Sequence, residues 1–113
     1  MHEYSIVQAL IEQCEDLAKE HQKTKILKVI VKIGVLSGVE IDLFKTAFET
    51  FKEKTICDNS ELVINIQPLV IKCYECLTES VLDENNFICP SCESLNVQSV
   101  DGEDMYLMSL EME

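Results

Sequence analysis

A chain of 113 residues, 47% hydrophobic and with a net charge of -12, has room for one modest domain, or for a small domain carrying a module with its own cross-link. All nine basic residues are lysines ending at Lys72, whereas Cys73 to Glu113 carries ten carboxylates and no base; this excludes a C-terminal part that grips nucleic acid and suits cations or a basic protein patch instead. No apolar run approaches the about 20 residues of a membrane span, and the first segment, with His2, Glu3 and Glu12, lacks the charged start and apolar centre of a signal peptide, so a cytoplasmic protein is expected.

The first element predicted is an amphipathic helix from Ser5, with Ile6, Val7, Leu10, Ile11, Cys14, Leu17 and Ala18 on one stripe. Ser5 and Gln8 match a capping box, which leaves His2 and Glu3 just outside the helix, and His21 falls near its last carbonyls. KILKVIVKI alternates as a half-buried strand with Leu27, Val29, Val31 and Ile33 on one face, until Gly34, Ser37 and Gly38 break it. Leu43, Phe44, Ala47, Phe48 and Phe51 form the stripe of a second helix from Ile41 to Lys54. ELVINIQ is a second strand with Leu62, Ile64 and Ile66 on one face, ended or bent by Pro68. Residues 70–100 hold short apolar stretches and four cysteines. Asp101-Gly102 is a turn, and MYLMSLEM a closing strand whose two alternations both carry apolar residues.

Two short loops, Cys73-x-x-Cys76 and Cys89-x-x-Cys92, are separated by twelve residues that supply a hairpin. Each places two thiolates on one side of a turn, so together they close a tetrahedron around a structural zinc ion. Two disulfides would require an oxidising compartment, and a redox C-x-x-C usually comes singly. A rubredoxin-like iron site shares the Cys-Pro-x-Cys element, but Glu93 stands where that pattern has glycine. Four thiolates leave no open coordination position, so the ion orders the module, with about 10–16 kcal/mol of apparent binding energy, and performs no catalysis. Cys14 falls on the first helix stripe as a small apolar residue, and no role attaches to Cys57. The fold expected is α+β: two helices packed on a three-stranded, mainly antiparallel sheet, with an inserted zinc-ribbon module. The domains are residues 1–69 plus 101–113, and residues 70–100.

The chain start carries a second metal signal. The Met1 amine, the deprotonated amide and the imidazole of His2 bind one ion through adjacent chelate rings, and Glu3 adds its carboxylate or its own amide. Such nitrogen-rich tetragonal sets suit Ni²⁺ or Cu²⁺, and affinity falls as pH drops because the donors must lose protons. No Ser-His-Asp set and no phosphate-binding glycine loop is present, which points to a carrier and not to an enzyme.

The MHEYS start, Gly34-x-Leu36-Ser37-Gly38-Val39-Glu40, Ala47-Phe48-Glu49, the two C-x-x-C loops and the closing Ser-Leu-Glu together resemble the HypA/HybF hydrogenase/urease nickel-incorporation proteins over essentially the whole chain. The resemblance implies a nickel metallochaperone in which residues 1–69 plus 101–113 bind Ni²⁺ as transient cargo for [NiFe]-hydrogenase maturation, with urease as a further client. It carries nickel roles over to His2, Glu3 and Glu40 and zinc ligation to Cys73, Cys76, Cys89 and Cys92. The partners implied are the nickel-binding GTPase HypB, the hydrogenase large subunit and urease maturation proteins, with neither nucleic acid nor membrane. The alternative is a zinc-ribbon adaptor that joins proteins without carrying nickel. Some members place histidines beside the zinc loops, and this chain has none there.

Overall fold

The computed structural model describes residues 3–82 and 87–113. Its elements are α1 (Glu3–Glu20), β1 (Ile26–Gly34), α2 (Ile41–Phe51), β2 (Glu61–Gln67), β3 (Leu69–Cys73), β4 (Glu79–Leu82), β5 (Val97–Asp101) and β6 (Met105–Met112). The strands form two three-stranded sheets, ordered β2-β1-β6 and β4-β3-β5. The α+β class with two helices and a cysteine-bearing ribbon is therefore present.

Helix α1 begins at Glu3, so Ser5 is its third residue and not a cap. The first turn is held by tertiary packing that no local pattern announces: the Tyr4 ring meets Phe51 edge-on, with centroids 5.4 Å apart. Glu3 also places a negative charge at the positive end of the helix dipole. The buried stripe of Val7, Leu10, Ile11, Cys14 and Ala18 follows the expected period. The helix ends where Gln22 turns to φ 58° and the Lys23 N–H reaches back to the Ala18 carbonyl at 2.8 Å. His21 donates its backbone N–H to Leu17, while the residue itself lines a shallow groove with Leu17, Met108 and Met112.

Strand β1 buries Val29, Val31 and Ile33 as its alternation requires. Its start departs from that pattern, because Ile26 is buried and Leu27 exposed. The Ile26 N–H bonds to the Ile56 carbonyl, which anchors Ile26 inward before the regular alternation begins. The Val35 N–H meets the carbonyl of Gln67, the last residue of β2, so β1 and β2 end together and run parallel through the α2 crossover. Strand β6 is antiparallel to β1, since Glu113 bonds to Lys25 at one end and Asp104 to Gly34 at the other.

Helix α2 buries Phe44, Ala47 and Phe48, but Leu43 is exposed and the helix stops at Phe51. Lys54, expected inside it, has φ 63°, a left-handed conformation that ends helices. On β2, Ile66 is 60% exposed despite the alternation, because an edge strand is covered incompletely. In β6 the half-buried residues are Met105, Leu107, Leu110 and Met112; Met108 and Ser109 are exposed in succession, which shifts the alternation midway.

The chain forms two compact units: Met1–Lys32, Val39–Asn65 and Tyr106–Glu113 in the first, Ile33–Gly38 and Ile66–Met105 in the second. Within the first, Cys14 and Cys57 are both fully buried and share a hydrogen bond. That bond and burial push the Cys14 thiol up, and the same bond draws Cys57 down. Cys57 thus packs as a core residue. The second unit centres on Leu69, Ile71 and Leu82, with Leu36 and Val97 against them. This packing brings residues 33–38, 66–69 and 101–105 beside the 70–100 segment.

Candidate metal centre

Cys73 is the last residue of β3, a strand paired antiparallel with both β4 and β5. Central placement in a ladder fixes the first thiol. After Cys73 the chain turns sharply: the N–H groups of Glu75 and Cys76 point at the Cys73 sulfur at 3.4 and 3.5 Å. The turn closes when the Cys73 N–H donates to the Thr78 carbonyl at 3.0 Å. The second loop repeats this construction, with the Cys89 N–H donating to the Ser94 carbonyl at 3.0 Å. Leu77 and Glu93, the residues after each second cysteine, have φ of 61° and 64°. Both loops therefore adopt the left-handed step that glycine eases, and Glu93 takes it without glycine. The backbone also joins the first loop to the chain beyond the second, since the Tyr74 N–H donates to the Asn96 carbonyl at 2.9 Å.

The four sulfurs lie within 4.8 Å of one another, with Cys73 to Cys92 at 3.5 Å and Cys76 to Cys89 at 3.6 Å. A tetrahedron with metal–sulfur bonds of about 2.3 Å has edges of about 3.8 Å, so these donors fit one zinc-sized ion bound by thiolates alone. Cys73 and Cys89 are buried and Cys76 and Cys92 exposed, which leaves one side of the site toward solvent.

Electrostatics support the same conclusion. The Thr78 hydroxyl and N–H, hydrogen-bonded to Cys76, pull its thiol down to about 6 against a partial loss of hydration. Cys73 is lowered by the N–H groups of Cys76 and Glu75. Cys92 receives an N–H from Ser94 that lowers it, yet the thiols of Cys73, Cys89 and Cys76, together with partial loss of hydration beside them, push it up to about 12. Sulfurs this close cannot all ionise without a cation between them. Metal binding supplies that cation and displaces the remaining protons.

Sequence reasoning found the four cysteines and overlooked Thr78 and Ser94. The signal was available: each lies five residues after the first cysteine of its loop.

Of the residues expected at the chain start, Met1 and His2 lie outside the described residues. Glu3 is 6% exposed, and its carboxylate accepts the Glu40 N–H at 3.1 Å. Glu40 is the N-cap of α2, its own carboxylate accepting the Asp42 N–H at 3.3 Å. The structure thus brings Glu3 and Glu40 together at the starts of the two helices. Among the described residues, the four cysteines are the one cluster of three or more metal-ligating side chains. No helix among them is long and apolar enough to cross a membrane.

The sequence profile described as "Hydrogenase/urease nickel incorporation, metallochaperone, hypA" matches residues 1–112. A hydrogenase maturation factor HypA of Shewanella oneidensis is 58% identical over 113 residues, covering 100% of this chain and 96% of the relative. The HypA of Aquifex aeolicus is 51% identical, covering 100% and 98%. The solution structure of the Ni metallochaperone HypA from Helicobacter pylori superposes with a TM-score of 0.74 at 39% identity, over 99% of this chain and 97% of that one.

Proposed function

The chain belongs to the HypA family of nickel-incorporation metallochaperones that serve hydrogenase maturation, and from that premise we propose that it carries Ni²⁺ at its own N-terminus. The donors are the Met1 α-amine, the amide and imidazole nitrogens of His2, and Glu3, with Glu40 as a further participant. The ion is delivered to the [NiFe]-hydrogenase large subunit with the nickel-binding GTPase HypB, and urease maturation is a second destination. These encounters take place in the cytoplasm, and the protein assists them without catalysing a reaction. Cys73, Cys76, Cys89 and Cys92 hold a structural Zn²⁺ in the 70–100 module, apart from the cargo carried by residues 1–69 plus 101–113.

One observation carries this reading. Glu3 and Glu40 are 37 residues apart in sequence, yet a hydrogen bond of 3.1 Å joins them. Glu3 is therefore held in place directly after the amine and imidazole of the first two residues. A few nitrogen donors tethered to a rigid helix start bind an ion without enclosing it, which is what a carrier that must release its cargo requires. Coordination through the amine and amide makes uptake pH-dependent, since both must give up protons.

Isothermal titration of untagged, zinc-loaded protein tests the assignment. Nickel uptake should collapse for His2→Ala and for protein acetylated at the Met1 amine, with zinc remaining near one per chain. Unchanged nickel affinity in either would remove the terminal site. X-ray absorption of the nickel-loaded chain should report nitrogen and oxygen neighbours and no sulfur.

A further inference from the structure

The second compact unit exposes large apolar side chains around its two cysteine loops. Leu77 and Leu95 are 70% and 76% exposed, and Tyr74, Phe87 and Ile88 are exposed beside them. None belongs to that unit's core, which is made by Leu69, Ile71 and Leu82 with Leu36 and Val97. They nevertheless converge. Tyr74 follows Cys73, Leu77 follows Cys76 and Ile88 precedes Cys89, whose sulfurs all lie within 4.8 Å of one another. Leu95 precedes Asn96, which accepts the Tyr74 N–H at 2.9 Å. The sulfur geometry and this backbone bond thus bring the chain positions of these residues together around the cysteine site, and the fold buries none of their side chains. Contiguous exposed apolar surface with a polar rim is characteristic of an interaction site, whereas scattered single residues are not.

The rim identifies what fits. Glu75 and Glu93 are exposed among these residues in the chain; Lys72, the last base of the sequence, lies opposite Glu79 in the β3–β4 ladder, so those two offset each other and leave Glu75 and Glu93 as the rim charge. The Glu75 carboxylate is positioned by the Asn96 side-chain amide at 3.4 Å. A second copy would set identical acidic rims against each other across a two-fold axis, and like charges brought together in that way oppose association. A polyphosphate would be repelled for the same reason.

We infer that the face around the cysteine loops docks a partner protein whose complementary patch has an apolar centre and a lysine or arginine rim. This goes beyond nickel carriage and does not depend on it: the docking is a property of the zinc-loaded, nickel-free chain. Failure of the terminal nickel site would leave it standing, and its own failure would leave nickel uptake intact.

The test uses the full-length, zinc-loaded, nickel-free protein labelled with ¹⁵N and three synthetic probes: an amphipathic leucine–lysine peptide, its leucine–glutamate twin, and a lysine–serine peptide without leucine. The leucine–lysine peptide alone should bind and shift amide resonances of Tyr74, Leu77, Ile88 and Leu95, with affinity falling as salt rises. The pair Leu77→Asn and Leu95→Ser should weaken it at least tenfold with zinc content unchanged, asparagine being tolerant of the left-handed backbone at position 77. A second pair, Glu75→Lys with Glu93→Lys, should weaken the leucine–lysine peptide and admit the leucine–glutamate twin. Equal binding of the twin to the unaltered protein, shifts confined to α1 or β6, or full affinity in both double variants would each overturn the inference. So would self-association abolished by the leucine pair, which would make a second copy the occupant.

Discussion

The Glu3 carboxylate accepts the Glu40 backbone N–H at 3.1 Å, tying the first residue of α1 to the N-cap of α2. Removing the acceptor leaves a part-buried donor without this bond, which costs about 1–3 kcal/mol. Glu3→Ala should lower the urea midpoint by that equivalent, while Glu3→Gln, which keeps a carbonyl acceptor, should lose less than half as much. If the carboxylate charge also serves nickel, the glutamine variant should bind the ion more weakly than native protein at nearly native stability. Equal destabilisation by Ala and Gln would show that the charge, and not this hydrogen bond, holds the helix starts together.

Metal removal should act on the second unit selectively. Its core of Leu69, Ile71 and Leu82 is small, and a bound structural zinc contributes on the order of 10–16 kcal/mol at neutral pH. Chelation, or Cys89→Ser, should erase hydrogen-exchange protection at Ile71 and Lys72 in β3 while amides of α1, backed by Val7, Leu10, Ile11 and Phe48, stay protected. Persistent protection in β3 after the metal is removed would mean that the strands alone stabilise this unit.

These contrasts follow how much of the molecule was legible in its residues. The cysteine site could be read because four thiols at C-x-x-C spacing leave few geometric solutions. The buried stripes of α1 and α2 could be read because a 3.6-residue period repeats over several turns. Tyr4, Ile26 and Ile66 depart from local pattern for non-local reasons. Phe51 stabilises the helix start at Tyr4, Ile56 holds Ile26 inward, and Ile66 lies on an edge strand. Cys57 carried no periodic signal at all, and its place becomes clear only when Cys14 is found hydrogen-bonded to it. The partnership of Glu3 with Glu40 is of the same kind, since it needs the fold to bring the two helix starts together.

The two solvent-facing thiols should titrate in opposite directions in metal-free protein. Cys76 ionises near 6 because of its Thr78 hydrogen bonds, below an ordinary thiol, so its thiolate stabilises the folded loop fully above the ordinary value of about 8.5, and this is lost as pH falls through about 6. Cys92 is held up to about 12 by neighbouring thiols and partial loss of hydration despite the Ser94 N–H, so folding favours its protonated form, and stability declines as pH rises from about 8.5 toward about 12. At pH 7.5 iodoacetamide should therefore modify Cys76 well ahead of Cys92, although both are exposed, as peptide mass spectrometry would resolve. Equal labelling rates would contradict the hydrogen-bond assignment at Thr78, and Thr78→Val should bring the two rates closer.

Gly34 and Gly102 are the positions where backbone approaches backbone. A Cβ at Gly34 would lie 2.2 Å from the Gly102 carbonyl oxygen and 2.9 Å from the Glu103 nitrogen. Neither is a flexible side-chain end that could move aside, and the Gly102 carbonyl is already committed to the Leu36 N–H at 2.8 Å. At Gly102 a Cβ would meet the Pro68 oxygen at 2.7 Å on a backbone with φ of 99°, so steric and conformational costs add. Gly34→Ala and Gly102→Ala should each destabilise by about 3 kcal/mol, at the upper end of ordinary overpacking. Gly34→Ala should push the turn before β6 away from the end of β1, and Gly102→Ala should push the same turn away from Pro68 and Leu69, so both costs fall on one shared segment and the double variant should depart from the sum of the two, a coupling that denaturant midpoints would measure directly. Strict additivity would mean that the two glycines answer separate constraints, and a near-neutral Gly34→Ala would mean that the strand end and the turn are not in contact in solution.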